Sequence, residues 1–371
     1  MNEKDFRFQF QISDWAISVL ACCCLAAGPW KIAEPGWQYE FPQDHHAHFE
    51  FKTEWWYFTG NLADEKGCRF GYELTFFRQG IRPPAQRNER LSRFVVNDLK
   101  FAHFTVTDVT GKRFSFEQKA SRGSFGKAGF DDGNRIAWIE SWNLLMKDDG
   151  SFKISANSAK ASIHLQLRPI KSPTIHGTNG ISQKAKGNEY TSHYYSITRL
   201  STTGELRTGG DSLSVSGESW FDHEWATNQL APEQAGWNWL GVQFGGNAEL
   251  MLYEMRLKDG TIDPISSGTF VGADGSSVHL PSSAFYMTPD RFWKSKTTGA
   301  NYPIGWRIEI PGLQLHFAVR AALDNQELAL NPLTYWEGAI ELSGMQNEKP
   351  ISGRGYLELT GYAASLQELQ R

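Results

Sequence analysis

The chain has 371 residues, with 37 Lys and Arg against 41 Asp and Glu and a formal net charge of −4. That length predicts two domains, each able to bury a core. The near balance of charge leaves no field to hold a phosphate backbone, which excludes nucleic acid as a partner.

The first recognisable element is an apolar run over residues 15–27 (WAISVLACCCLAA). It has the length of a secretory core segment and is too short to span a bilayer. The expectation is an export signal over residues 1–27 and hence a periplasmic or secreted protein. Two processing routes stay open: cleavage near Ala26 or Ala27, or a lipoprotein cut that leaves Cys22 lipidated and anchors the protein to a membrane. Only Cys68 lies beyond Cys22, Cys23 and Cys24, so no internal disulfide framework can form after processing.

From Glu54 onward, short aromatic or β-branched runs alternate with turn residues, and helical periodicity is scarce. This is the pattern of antiparallel sheets. Asp64-Glu65-Lys66-Gly67 separates residues 55–62 from 69–78, Thr110-Gly111-Lys112 separates 101–109 from 113–118, and Asp148-Asp149-Gly150 separates 136–146 from 151–155. Gly245-Gly246-Asn247, Lys258-Asp259-Gly260 and Ala273-Asp274-Gly275 repeat this hairpin chemistry further on. Residues 80–93, with a Pro pair, and residues 171–188 read as long polar loops, either shaping a ligand entrance or merely solvated.

Two segments recur in the same order. Glu54-Trp55-Trp56-Tyr57-Phe58-Thr59-Gly60, with a strand ending at Arg78, is echoed by Gly236-Trp237-Asn238-Trp239-Leu240-Gly241, with a strand ending at Arg256. Val215-Ser216-Gly217-Glu218-Ser219-Trp220 is echoed by Ile351-Ser352-Gly353-Arg354-Gly355-Tyr356. A duplicated β-barrel accounts for both, with an N-terminal barrel over residues 36–230 and a C-terminal barrel over 236–371. Ala231-Pro232-Glu233 interrupts the strands between them.

The densest candidate site is Trp220-Phe221-Asp222-His223-Glu224-Trp225. On a strand, Phe221, His223 and Trp225 share one face, and Trp220, Asp222 and Glu224 the other. His223 beside Trp225 would be a desolvated proton donor; Asp222 with Glu224 would be an acid pair in which one member keeps its proton. Which face points inward is open, and so is a purely structural role as a polar plug between the halves. Asp44-His45-His46-Ala47-His48 precedes Glu54, but its spacing matches no zinc pattern, so no metal is expected. Glu54, Trp56 and Phe58 share a face, and a buried Glu54 needs Arg78 or His48 as partner. Arg78 and Arg256 end corresponding strands and pair with acids or meet a ligand. Tyr194, Tyr195, Tyr253 and Glu254 are further proton donors. The ligand-binding candidates are His48, Glu54, Trp55, Trp56, Tyr57, Arg78, Trp237, Trp239 and Arg256; the catalytic ones are Asp222, His223, Glu224, Trp225, Tyr253 and Glu254. No serine-hydrolase elbow, phosphate-binding loop or Cys/His catalytic pattern is present, which leaves acid and base chemistry in an apolar pocket.

These segments, with Gly71-Tyr72-Glu73-Leu74-Thr75-Phe76-Phe77-Arg78 and Gly355-Tyr356-Leu357-Glu358-Leu359-Thr360-Gly361-Tyr362, resemble the bacterial AttH proteins and the carotenoid 1,2-hydratases of the CrtC type over residues 44–362. The resemblance implies an all-β fold of two tandem lipocalin-like antiparallel barrels. It also implies either capture of a lipid or isoprenoid, in service of an ABC-type lipoprotein export system, or hydration by acid catalysis without a cofactor. Ligand capture is the leading expectation and hydration or hydrolysis the alternative. The His-x-Trp element of the hydratases corresponds to His223 and Trp225, and the Tyr-x-Asp element to Tyr253 and Met255. The second element lacks its acid here, so Glu254 or Asp222 must supply the proton or hydration is lost.

Overall fold

The computed structural model describes residues 30–87, 95–330 and 333–363. The expected export signal, with Cys22, and the end of the 80–93 loop lie outside the described residues. Among them strand is the dominant element, and the helical pieces are all short 3-10 turns. It forms a 13-stranded and a 10-stranded antiparallel sheet, the first over residues 53–226 and the second over 234–359. The first curls into a nearly closed barrel and the second into a half-barrel, so the lipocalin-like all-β architecture holds and the two halves differ in closure.

The anticipated hairpins fall where their turn residues stand, for example Thr53–Asp64 with Arg69–Gly80 and Asp98–Asp108 with Arg113–Ser121. The run over 136–146 is two strands rather than one, Arg135–Ile139 and Trp142–Met146. Its tight turn has Glu140 at a φ of 54°, a left-handed conformation with no glycine to announce it. The 171–188 excursion carries two short strands: Thr174–Ile175 and Ser182–Gln183 both pair with the long strand Thr191–Thr208.

The alternation of side chains sets the cores. Trp56, Phe58, Phe221 and Trp225 turn into the first barrel with Leu74, Phe104, Phe152 and Ile197. Leu240, Leu252, Trp306, Trp336 and Leu357 fill the second. A third cluster lies between the sheets: Tyr57, Tyr194 and Trp220 from the first meet Trp239, Tyr253, Ala339 and Tyr356 from the second. Gly71 stands at a close approach between them, since a Cβ there would lie 2.7 Å from that of Ala339. The contact is clamped by Arg199, whose Nε donates to Glu249 Oε1 at 2.6 Å, and by Lys171, whose Nζ lies 2.7 Å from Glu249 Oε2.

Candidate active site

The strand Asp211–Ala226 separates two polar systems, one on each face. On the barrel side, His223 Nε2 lies 3.0 Å and His48 Nδ1 2.8 Å from Glu54 Oε1, while Arg78 Nε donates to Glu54 Oε2 at 2.9 Å. Arg78 Nη1 reaches Asp98 at 3.1 Å, its Nη2 the carbonyls of His48 and Phe51, and His48 Nε2 is 3.0 Å from Asp44. His48 stacks on Trp225 at 3.8 Å and Trp56 on His223 at 4.7 Å. Burial alone would raise the Glu54 pKa, but Arg78 and the two imidazoles hold it far below the usual carboxylate range. His48 sits above its ordinary value because Asp44 and Glu54 outweigh its burial; in His223 burial wins and the value falls. His48, Glu54 and His223 come within 4.8 Å of one another, but the imidazoles are hydrogen-bonded directly to the carboxylate and a guanidinium adjoins it. That is a satisfied network rather than a ligand set, and it ties the segment before Thr53–Asp64 to three strands.

On the other face, between the sheets, lies a cavity of about 500 Å³. Trp55, Phe77, Phe101, Trp237, Trp239 and Tyr335 supply apolar wall. Pairing aligns two facing rows: Ser196, Asp222, Tyr57, Thr75 and His103 across the first sheet, and Tyr253, Trp239, Glu358 and Glu337 across the second. Tyr194 O–H donates to Asp222 Oδ2 at 2.6 Å, Trp220 Nε1 to Oδ1 at 2.5 Å, and Ser196 Oγ also to Oδ1. Trp239 Nε1 reaches the Tyr194 oxygen at 3.1 Å. Burial pushes Asp222 up to about 7 against the pull of these donors. Glu358, bonded by Trp237 Nε1 at 3.1 Å, is likewise raised by burial to about 7. Lys184 pairs with Glu224 at 2.8 Å and lies over the rings of Tyr194 and Tyr253 at 5.0 and 4.6 Å. Burial works against its charge, but Glu224 outweighs that and raises its pKa, so it is a cation.

The candidates read from the sequence therefore divide by face. Asp222, Glu224, Trp55, Tyr57, Tyr253, Trp237 and Trp239 line the cavity. His223, Trp225, His48, Glu54, Trp56 and Arg78 are packed into the first barrel and do not line it: alternation points the five strand residues the other way, and His48 joins them from the segment before Thr53. Glu254 and Arg256 also turn away: Glu254 accepts from Asn238 Nδ2 at 3.2 Å, and Arg256 lies over Tyr362 at 3.7 Å. Of the two acids offered in place of the one absent at Met255, Asp222 is at the cavity and Glu254 is not. Glu358 and Lys184 were not singled out for chemistry. Glu358 is found only through its strand pairing with Trp239, and Lys184 lies in a loop with no pattern of its own.

A protein-family model described as AttH-like matches residues 32–362. The crystal structure of a protein from Nitrosomonas europaea assigned as an AttH is similar with a TM-score of 0.80 and 31% identity, covering 90% of this chain and 99% of that one. Kievitone hydratase from Nectria haematococca shares the fold at a TM-score of 0.69 and 14% identity, over 91% of this chain and 98% of its own. The dehydratase asqC of Emericella nidulans is 20% identical over 273 residues, 69% of this chain and 75% of that protein.

Proposed function

This chain belongs to the AttH-like family, and from that premise we propose that it is a hydratase or dehydratase, working by acid and base catalysis on an apolar substrate held between its two sheets. The observation that carries the proposal is the Asp222–Tyr194 couple on the cavity wall, with Glu358 in the facing row. Near neutral pH both carboxyls divide between their protonated and ionised forms, which is the condition for an acid and a base to act at one pH.

With the proton on Asp222, the acid donates to the Tyr194 oxygen, which also accepts from Trp239. The Tyr194 hydrogen is then free for a ligand oxygen. In the direction of dehydration, that proton goes to the departing hydroxyl as Asp222 passes its own to the Tyr194 oxygen, the C–O bond breaks, water leaves, and the Glu358 carboxylate takes the proton of the neighbouring carbon as the double bond forms, so that Asp222 ends ionised and Glu358 protonated. Hydration is the reverse. The names of the two relatives, a hydratase and a dehydratase, support this chemistry over the simple ligand capture that led the sequence reading. The aromatic walls favour a second reading, retention of a lipid or isoprenoid without bond chemistry.

The test is incubation of the purified protein with a panel of aromatic and isoprenoid alcohols and alkenes in isotopically labelled water, read by mass spectrometry. Gain or loss of water on at least one member, abolished in Asp222→Asn, is the expected result. Tight binding of panel members with no water gained or lost would leave the capture reading in its place.

A further inference from the structure

Lys184 lines the cavity beside the Asp222–Tyr194 couple, and its loop is built to hold it there. Gln183 Nε2 donates to the carbonyls of Ala185, Gly187 and Tyr190 at 2.6, 2.7 and 3.1 Å, which closes the turn around Lys184. The Lys184 N–H donates to the Tyr190 carbonyl at 2.8 Å, and the Lys184 carbonyl accepts from Gln234 Nε2, at the start of the second sheet, at 2.7 Å. The ammonium has three hydrogens, and the described residues give it one acceptor, the Glu224 carboxylate at 2.8 Å. The ring faces of Tyr194 and Tyr253 flank it. Its side chain keeps 8% of its surface, and that surface meets the cavity.

A buried ion pair is a costly way to tie down a loop, because two desolvated charges often stabilise a fold no better than apolar side chains of the same volume. At a cavity wall, a fixed cation with hydrogens to spare does something else: it attracts an oxygen on which negative charge gathers. The proposed reaction calls for such a group. Burial raises Glu358 to about 7, and a carboxylate of that strength removes a proton from carbon in an uncharged substrate only if the electron pair left behind is drawn onto a more electronegative atom. A carbonyl next to that carbon draws it off, through an enolate, to the carbonyl oxygen.

We propose that Lys184 seats the carbonyl oxygen of the ligand, and that the substrate is a β-hydroxy ketone or, in the direction of hydration, the corresponding enone, carried on apolar groups that fill the aromatic slot. Because Nζ stands over the Tyr194 ring, a carbonyl and a hydroxyl two carbons apart can meet Lys184 and the Tyr194 hydroxyl at once. Glu358 takes the α-proton; the C–H pair becomes the enolate double bond, and the carbonyl π pair moves to the oxygen at Lys184, which stays an ammonium throughout. The carbonyl then re-forms, the enolate carbon pair becomes the new carbon–carbon double bond, and the C–O bond breaks. The departing oxygen takes the Tyr194 proton and leaves as water, while Asp222 reprotonates Tyr194. The substrate class rests on the proposed function; the carbonyl seat is tested by binding alone.

Two probes test it on the full chain by absorption and equilibrium dialysis: 4-(dimethylamino)chalcone, an elongated aromatic enone whose band moves to the red when a cation polarises its carbonyl, and 4-(dimethylamino)stilbene, which lacks the carbonyl. Lys184→Met/Glu224→Gln removes both charges and strands neither, and Lys184→Arg keeps the cation. The wild type is expected to bind the chalcone with a red-shifted band, and to favour it over the stilbene by about tenfold more than the double variant does, as for a hydrogen bond to a buried charge. The double variant should lose the shift while still binding the stilbene, and Lys184→Arg should keep part of it. Bound chalcone absorbing in the wild type as it does in an apolar aprotic solvent would overturn the seat, even if a variant fails to fold. Failure of the chalcone to bind, or a shift and preference that persist in the double variant, would overturn it too. Loss of water from a carbonyl-free isoprenoid alcohol, undiminished in the double variant, would overturn the substrate class and leave the acid–base reading standing. A red shift that depends on Lys184, with no water gained or lost by any enone or β-hydroxy ketone, would uphold the seat and overturn the proposed function.

Discussion

Replacing Glu54 by Gln tests the assignment of the barrel-side network to structure rather than chemistry. Glu54 is fully buried and gathers Arg78, both the ring and the backbone N–H of His48, and His223. Gln keeps the shape but removes the charge, leaving Asp98, at 3.1 Å, as the carboxylate paired with the buried Arg78 guanidinium. Breaking a buried ion pair by altering one partner costs roughly 3–5 kcal/mol. At about 2–4 °C per kcal/mol for units of this size, the melting temperature should fall by on the order of 10 °C. The sign of the pH dependence is fixed as well. The folded-state pKa of Glu54 is depressed below its ordinary 4.5, so its stabilisation is present above that value and is lost as pH falls below it. The wild type should therefore lose stability more steeply in acid than Glu54→Gln. The assay is thermal and urea unfolding at pH 7 and below pH 4, with dialysis of an aromatic ligand on the folded variant. A variant as stable as the wild type, or one that stays stable but loses ligand, would refute the reasoning.

Asp222→Asn should act oppositely with pH. The folded-state value of Asp222 is raised from 3.8 to about 7, so the wild type loses stability as pH climbs between those values, by ~4 kcal/mol at 1.36 kcal/mol per unit. The Asn variant lacks that contribution, and urea titrations at pH 5 and pH 8 should show a flatter change. Lys184→Met strands the buried Glu224 carboxylate and is expected to cost roughly 3–5 kcal/mol, much of it recovered in Lys184→Met/Glu224→Gln; equal stability of the single and double variants in urea would contradict the pairing.

Much of the fold was legible because it depends on local chemistry. The turn triplets between aromatic runs mark the hairpins, and the recurrence of Trp55–Gly60 as Trp237–Gly241 marks two halves. Two-residue alternation also divided Asp222 and Glu224 from His223 and Trp225. Which of those faces met a ligand was not legible, because it depends on how two sheets dock, and that is set by contacts such as Gly71 on Ala339 that no local pattern encodes. For the same reason the conspicuous histidines near residue 45 drew attention that the structure gives to packing. Glu358, Lys184 and His103 gain their setting only from strand pairing and from a loop folded back across the sheet. The hairpin at Glu140 was missed because its left-handed residue is not a glycine.

The account depends on a carboxyl that keeps its proton at the cavity wall, and difference infrared spectroscopy sees that proton directly. At pH 6, subtracting the spectrum of Asp222→Asn from that of the wild type should leave the carbonyl stretch of a protonated carboxylic acid, fading as pH rises through about 7. A carboxylate band in its place throughout that range would contradict the acid–base assignment.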